Sequence, residues 1–383
     1  MTQLDAPVAH STQLKTLKDK TGEKFGTEIS YHAFTGNRTW IGYLPGIPVN
    51  VEILLKSWYN HLSMKIHLSN SAYLGNIDPF LRSFNASDPD ILKITANDKW
   101  ISIHPVVLSM VAALGLSLKP KNIECQHLEA RSKHYLKRMG LYDLLKIDSG
   151  IQITEHEPAG RFIPLTQITD SSKLTDFITE MVPLLHLEPN QVEPIRYIIS
   201  ELTRNVFEHA YSKTGAILCA QYYKKSNAIK IGIVDRGVGI RETISESHRA
   251  SSDMEAIRLA LTPGITGKTQ RIGGTDYNAG AGLFFIKSIA KVNKDFFVIY
   301  SGKAMYKLLK ENPQKKIRLE IDPFKDKHSN SESFPYWQGT VVGVDLKLDN
   351  TTEFSTLLEA IREIYSKSVK ERRAERYKKA KFI

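Results

Sequence analysis

Cysteine is nearly absent from this chain: among 383 residues only Cys125 and Cys219 occur, both inside apolar segments. They supply neither the disulfide framework of a small secreted scaffold nor the Cys/His set of a zinc site, and they fit a reducing compartment. Long apolar runs are missing too. No stretch approaches the roughly 18 residues that a membrane-spanning helix needs. Residues 1–30 lack the apolar core of a signal peptide, so the cytosol is the expected compartment. With 42% hydrophobic and 24% charged residues, wholesale disorder and collagen-like order are excluded, and the length suits two or three folded domains.

What the chain does have is a net charge of +11. Between Ile361 and Ile383 nine basic residues stand against three acidic ones, which is +6 and leaves +5 for everything before it. Leu357, Leu358, Ile361, Ile364 and Tyr365 repeat at helical spacing ahead of the basic run. This predicts a C-terminal helix docked at its start and solvated at its end. That end reads either as an electrostatic arm for nucleic acid or another acidic partner, or as a plain solvated helix.

Four regions separate along the chain. Residues 1–37 are polar, with strand character near Glu28 to Phe34. Residues 38–150 alternate short apolar runs with helical stretches such as Val51 to His61, an α/β pattern. Residues 160–349 open with helices and continue into strands (GAILCAQYYK, AIKIGIVD, DFFVIYSG, IRLEI, GTVVGVDLKL), which predicts an α+β sandwich. Within them, Glu311 to Trp337 is rich in proline and serine and reads as a mobile excursion. Residues 350–383 form the basic helix.

Three segments of the third region carry chemistry. In ELTRNVFEH, Glu201, Asn205 and His209 are four residues apart and share one helix face, while Ile198, Leu202, Val206 and Ala210 form the adjacent apolar stripe. In AIKIGIVDRGVGI, Ile229, Ile231 and Ile233 alternate as a half-buried strand. Asp235 follows its end, with Gly237 and Gly239 beside it. A carboxylate there can accept a hydrogen bond from an exocyclic amine while the glycines let a planar ring come close. In NAGAGLFFIKSIAKV, Gly280 and Gly282 precede an apolar helix whose free N–H groups favour an anion. The nearby TPGITGKT imitates a phosphate loop but has Thr262 where that loop requires glycine, so Lys268 and Thr269 are kept only as lid residues.

Glu-x-x-x-Asn-x-x-x-His, then Asp-x-Gly-x-Gly, then Gly-x-Gly-Leu before a helix, in this order, resemble the motifs of the GHKL ATPase superfamily over residues 165 to 349. The closest likeness is to anti-sigma-factor serine kinases. The resemblance implies a Bergerat-type α/β sandwich that binds ATP and Mg²⁺. Asn205 would ligate the metal, and Asp235 would receive the adenine amino group with Gly237 and Gly239 beside the ring. Gly280, Gly282 and Leu283 would frame the phosphates, with His209 on the phosphate side. Glu201 would activate a water or a hydroxyl. Residues 251–278 would be a lid, with Gly264, Gly267, Gly273 and Gly274 as its flexible points, although Asn278 stands where many relatives have glycine.

Residues 90–145 also resemble STAS-like domains, with Tyr135, Leu136, Met139, Gly140 and Leu141 as the closing helix end. His104 and Pro105 stand where such domains carry a phosphorylatable serine, flanked by Ser102 and Ser109. Together the two resemblances describe an ATP-binding regulator that closes a lid, contacts a protein partner and hydrolyses ATP slowly. A serine protein kinase and an ATP-dependent nucleic-acid-binding protein are the alternatives. His127 lacks the context of a histidine-kinase phosphoacceptor, and a homodimer stays open.

Overall fold

The computed structural model describes residues 9–18, 24–33, 39–45, 63–83, 90–97, 101–125, 130–150, 162–274, 280–312, 314, 316–348 and 354–378. The helix expected at 51–61, His127 and Asn278 lie outside them. The chain divides into two compact units, Met1–Asn60 and His61–Ile383. This partition differs from the expected boundaries at 37 and 150.

The first unit is an antiparallel sheet of β1 (Ala9–Lys18), β2 (Lys24–Ala33) and β3 (Thr39–Pro45) in that order. The polar N-terminal residues are therefore strand formers. β3 pairs with β2 from Gly26↔Pro45 to His32↔Thr39, so a boundary at residue 37 would cut the sheet.

The second unit is mixed α/β, with a small parallel sheet and a large antiparallel one. The parallel sheet, in order β4-β5-β6, contains β4 (Ser63–Leu68), β5 (Ile91–Ala96) and β6 (Ile123–Cys125). With it go α1 (Asp78–Arg82), α2 (Pro105–Gly115), α3 (Ala130–Arg138) and α4 (Leu141–Leu145). The large sheet contains β7 (Phe162–Ile168), β8 (Ala216–Tyr223), β9 (Ala228–Val234), β10 (Phe297–Gly302), β11 (Ala304–Leu308), β12 (His328–Ser331) and β13 (Trp337–Lys347). Its order is β12-β11-β10-β13-β9-β8-β7.

Both faces of the large sheet are buried, and the period-two alternation of strands sorts the side chains between two cores. On β10, Phe297 and Ile299 enter one core and Val298 and Tyr300 the other. β9 is likewise more than half-buried: Ile229, Ile231 and Ile233 face one core, and Val234 on the reverse faces the second. That second core is shared with α2, whose eleven residues are all buried. A helix apolar all round needs covering on every side. At Gly232 a Cβ would lie 2.2 Å from the Val106 backbone nitrogen, so glycine creates the notch that lets α2 reach β9. The two expected α/β modules thus share one core.

A buried polar lock fixes the same junction. His104 caps α2 by accepting at Nδ1 from the Val106 N–H (3.1 Å), and its Nε2–H donates to Asp345 on β13 (3.1 Å). Burial holds this imidazole below its ordinary pKa. Ser109 is fully buried and donates to the Gly232 carbonyl at 3.2 Å, a position no kinase could reach without unfolding α2.

The other face of the large sheet is covered by α5 (Ser171–Asp176), α6 (Pro189–Asn205), α7 (Ile240–Ser245), α8 (Asp253–Ala260), α9 (Gly282–Val292) and α10 (Phe354–Lys378). Two expectations change here. Residues 317–321 form no strand. The stretch from 311 to 337 instead supplies edge strand β12, paired to β11 from Leu308↔His328 to Met305↔Ser331. Its Asp326 is buried and holds both Lys287 and Lys291 of α9. The end of α10 is not simply solvated either, because Ser368 and Val369 are buried and Arg372 and Arg373 bond to the protein. Among the described residues no helix is long and apolar enough to cross a membrane.

Candidate functional site

α6 runs to Asn205 and then widens into a single π-type turn, Val206–Ala210, ending in Tyr211 at φ 50°. Glu201 and Asn205 keep the four-residue spacing of the α-helix, whereas His209 sits on the widened turn and is rotated from their line. All three border one cavity of about 410 Å³, within the range of small-molecule sites. Asp235, Gly239, Gly280, Gly282 and Leu283 border it as well. Segments up to about 80 residues apart in sequence therefore converge, because β9 and the two helices α6 and α9 meet at one end of the same core.

The contact between the first and third segments is close. A Cβ at Gly282 would lie 2.8 Å from Glu201 Oε2 and 3.8 Å from Asn205 Nδ2, so only glycine lets the first turn of α9 approach those side chains. Ala281, the N-cap of α9, offers no capping side chain, and the first N–H groups of the helix lie at the end where Gly282 and Leu283 border the cavity. Glu201 Oε1 accepts from Arg204 Nη1 at 2.9 Å. Burial raises the Glu201 pKa above the ordinary carboxylate range, and Arg204 opposes that shift. Asn205 Nδ2 is buried without a hydrogen-bond partner. A buried orphan amide is costly, and one on a cavity wall fits a polar ligand. Exchanging the amide atoms would turn the oxygen to the cavity instead. Burial also lowers the His209 pKa, opposed by Glu208.

Asp235 stands at the far wall, only 3% exposed. Its Oδ1 accepts from Gly237 N–H at 2.8 Å, its N–H donates to the Thr340 carbonyl at 2.9 Å, and its carbonyl accepts from Trp337 Nε1 at 3.2 Å. Burial pushes its carboxyl up to about 7 against these bonds. Gly339, at φ 97°, closes over it, since a Cβ there would come within 2.7 Å of Oδ1.

Three expected site residues lie elsewhere. Gly237 is absent from the cavity wall and packs under the π-turn, where a Cβ would meet the Ala210 carbonyl at 1.9 Å. Lys268 lies over the Tyr211 ring, 5.5 Å from its centroid, and 3.7 Å from Glu246. Thr269 accepts the Arg271 N–H on its hydroxyl (3.1 Å) and His248 Nε2 on its carbonyl (3.1 Å). The lid is narrower than expected: α8 is core, with Ala256 and Ile257 fully buried. Among the described residues of the expected lid, Ala260, Ile265, Thr266 and Gly267 line the cavity, and the stretch from Ile265 to Gly267 is termed its roof.

Sequence reasoning missed Tyr197, Thr340 and Arg362 on the cavity wall. Tyr197 is one turn before Glu201 on the same face and was findable by extending the four-residue series. Arg362 had no local signal. Among the described residues no cluster of His, Cys, Asp and Glu could hold a metal by itself. A cation at Asn205 therefore depends on oxygen atoms that a ligand brings. No protein family, curated protein or solved structure matches this chain.

Proposed function

We propose that the chain is an ATP-binding regulatory protein of the GHKL type, with a Bergerat-type sandwich fused to a STAS-like layer and a slow ATPase activity. The observation that carries this reading is the convergence on one cavity of an orphaned Asn205 amide, an uncapped helix start at Gly282 and a buried Asp235 carboxylate. Each matches a different part of a nucleotide. The helix start suits phosphate oxygens, for which its free N–H groups are complementary. Asp235, which has acceptor positions besides the one taken by the Gly237 N–H, suits the adenine amine. Asn205 fits a hard cation shared with the phosphates. Mg²⁺, when bound there, would offset phosphate charge.

Glu201 is the group placed to take a proton from an attacking hydroxyl. Its carboxylate borders the start of α9, and a pKa raised by burial makes it a better base than an exposed carboxylate. Arg204 keeps it ionised and oriented. Incubation with γ-labelled ATP tests the reading: released phosphate supports the ATPase, label on a partner protein supports the serine kinase, and absence of both with ATP bound leaves a passive switch. No binding of ATP at all would sink the proposal.

A further inference from the structure

We propose that α10 is the latch of the cavity roof, with Arg372 and Arg373 as positioning residues that set how fast the site releases its ligand. The proposal deepens the nucleotide reading and rests on it for the identity of that ligand. Arg372 Nη1 donates to the Pro263 carbonyl at 3.0 Å, and Arg373 Nε donates to the Ile272 carbonyl at 2.8 Å. These two carbonyls bracket the stretch 263–272, which contains the roof residues Ile265, Thr266 and Gly267.

One turn before the two arginines the helix meets the glycines directly. Val369, 6% exposed, fills the space beside Gly264 and Gly273, where a Cβ would come within 2.7 and 2.8 Å of its methyl groups. Both glycines sit at positive φ, 77° and 87°, which L side chains rarely adopt. Gly273 N–H donates to the Gly264 carbonyl (2.9 Å), and Gly264 N–H donates to the Gly280 carbonyl (3.0 Å) on the cavity wall. The latched stretch therefore meets the cavity wall at Gly280 as well as at Ile265, Thr266 and Gly267.

The upstream part of the same helix borders the cavity itself. Arg362 is on its wall, and the Tyr365 ring packs at 6.1 Å, tilted by 58°, against Phe285, which is on that wall too. Phe354 packs at 5.8 Å against Tyr197 of α6. One helix thus holds both the wall and the roof, so docking of α10 and retention of a ligand are thermodynamically linked, each favouring the other. A protein that pulls α10 away would empty the site.

The test compares the full chain with the Arg372→Ala/Arg373→Ala and Arg372→Lys/Arg373→Lys double variants by hydrogen-exchange mass spectrometry and by dissociation of a fluorescent N-methylanthraniloyl ATP. In the alanine variant, which loses both bonds, peptides covering 261–274 are expected to exchange at least about tenfold faster, the factor that even one lost bond from a charged donor gives. Peptides covering β8 and β9 should stay unchanged, which shows that the protein is folded. Release of the analogue should accelerate by a similar factor, and the lysine variant should recover part of both effects. Unchanged exchange over 261–274 in the folded alanine variant overturns the latch. If the wild-type chain fails to bind the analogue, the nucleotide reading falls while the exchange comparison still decides the latch.

Discussion

Asp235→Asn should make this protein more stable above neutral pH while weakening its binding site. The carboxyl is buried and its pKa rises from 3.8 to about 7. In the unfolded chain it keeps its ordinary value, so as pH climbs from about 4 to 7 the unfolded state sheds a proton that the folded state retains. Stability contributed at low pH is lost across that window and stays lost above it. Three pH units at about 1.4 kcal/mol each give roughly 4 kcal/mol as a ceiling. Asparagine carries no charge at any of these pH values and still offers an oxygen to Gly237 N–H, so it escapes this cost. Urea denaturation of both proteins at pH 5, 6.5 and 8 should show the variant's advantage widening by roughly 2–3 kcal/mol between the two extremes. An advantage independent of pH, or a variant less stable at pH 8, would refute the account of this carboxyl.

Two further outcomes follow from the geometry. On the proposed reading, Glu201→Ala should leave ATP affinity within about threefold while abolishing phosphate release, because the residue would act on the attacking water and not on the bound nucleotide; retained turnover in a phosphate-release assay would show that another group is the base. Gly232→Ala should cost about 3 kcal/mol in thermal denaturation. The added Cβ meets the Val106 backbone at 2.2 Å, where no flexible side chain can yield. A neutral effect would mean that α2 is not seated on β9.

The site was more legible in the sequence than the frame around it. Glu201, Asn205, Asp235, Gly280 and Gly282 were visible because each obeys a local rule, either helix periodicity or glycine beside a strand end or helix start. Their meeting depended on order along the chain, which the resemblance supplied. β7 was hidden by Pro164 in its middle, and β12 by the polar run HSNS, whose strand character comes from pairing with β11. The run PVVLSMVAALG is apolar throughout, so periodicity could not show that it is a helix held between two sheets.

The basic end of α10 was only partly legible in the sequence. Net charge counts cations but cannot see backbone carbonyls about 100 residues away. Arg372 and Arg373 each give one hydrogen bond to a backbone carbonyl, of Pro263 and Ile272, so part of the basic run is engaged within the protein. Among the described side chains of α10, Lys367 and Lys370 stand exposed beside Glu363, Glu371 and Glu375.

The central claim is that Asn205, Asp235 and the start of α9 form one nucleotide site. Titration calorimetry of the full chain with Mg-ATP, beside the Asn205→Ala variant, tests it most directly. The account predicts saturable one-to-one binding by the wild type, and none by the variant at the same concentrations despite an unchanged melting temperature. Equal affinity in the two proteins, or no heat from the wild type with ATP at millimolar concentration, would contradict it.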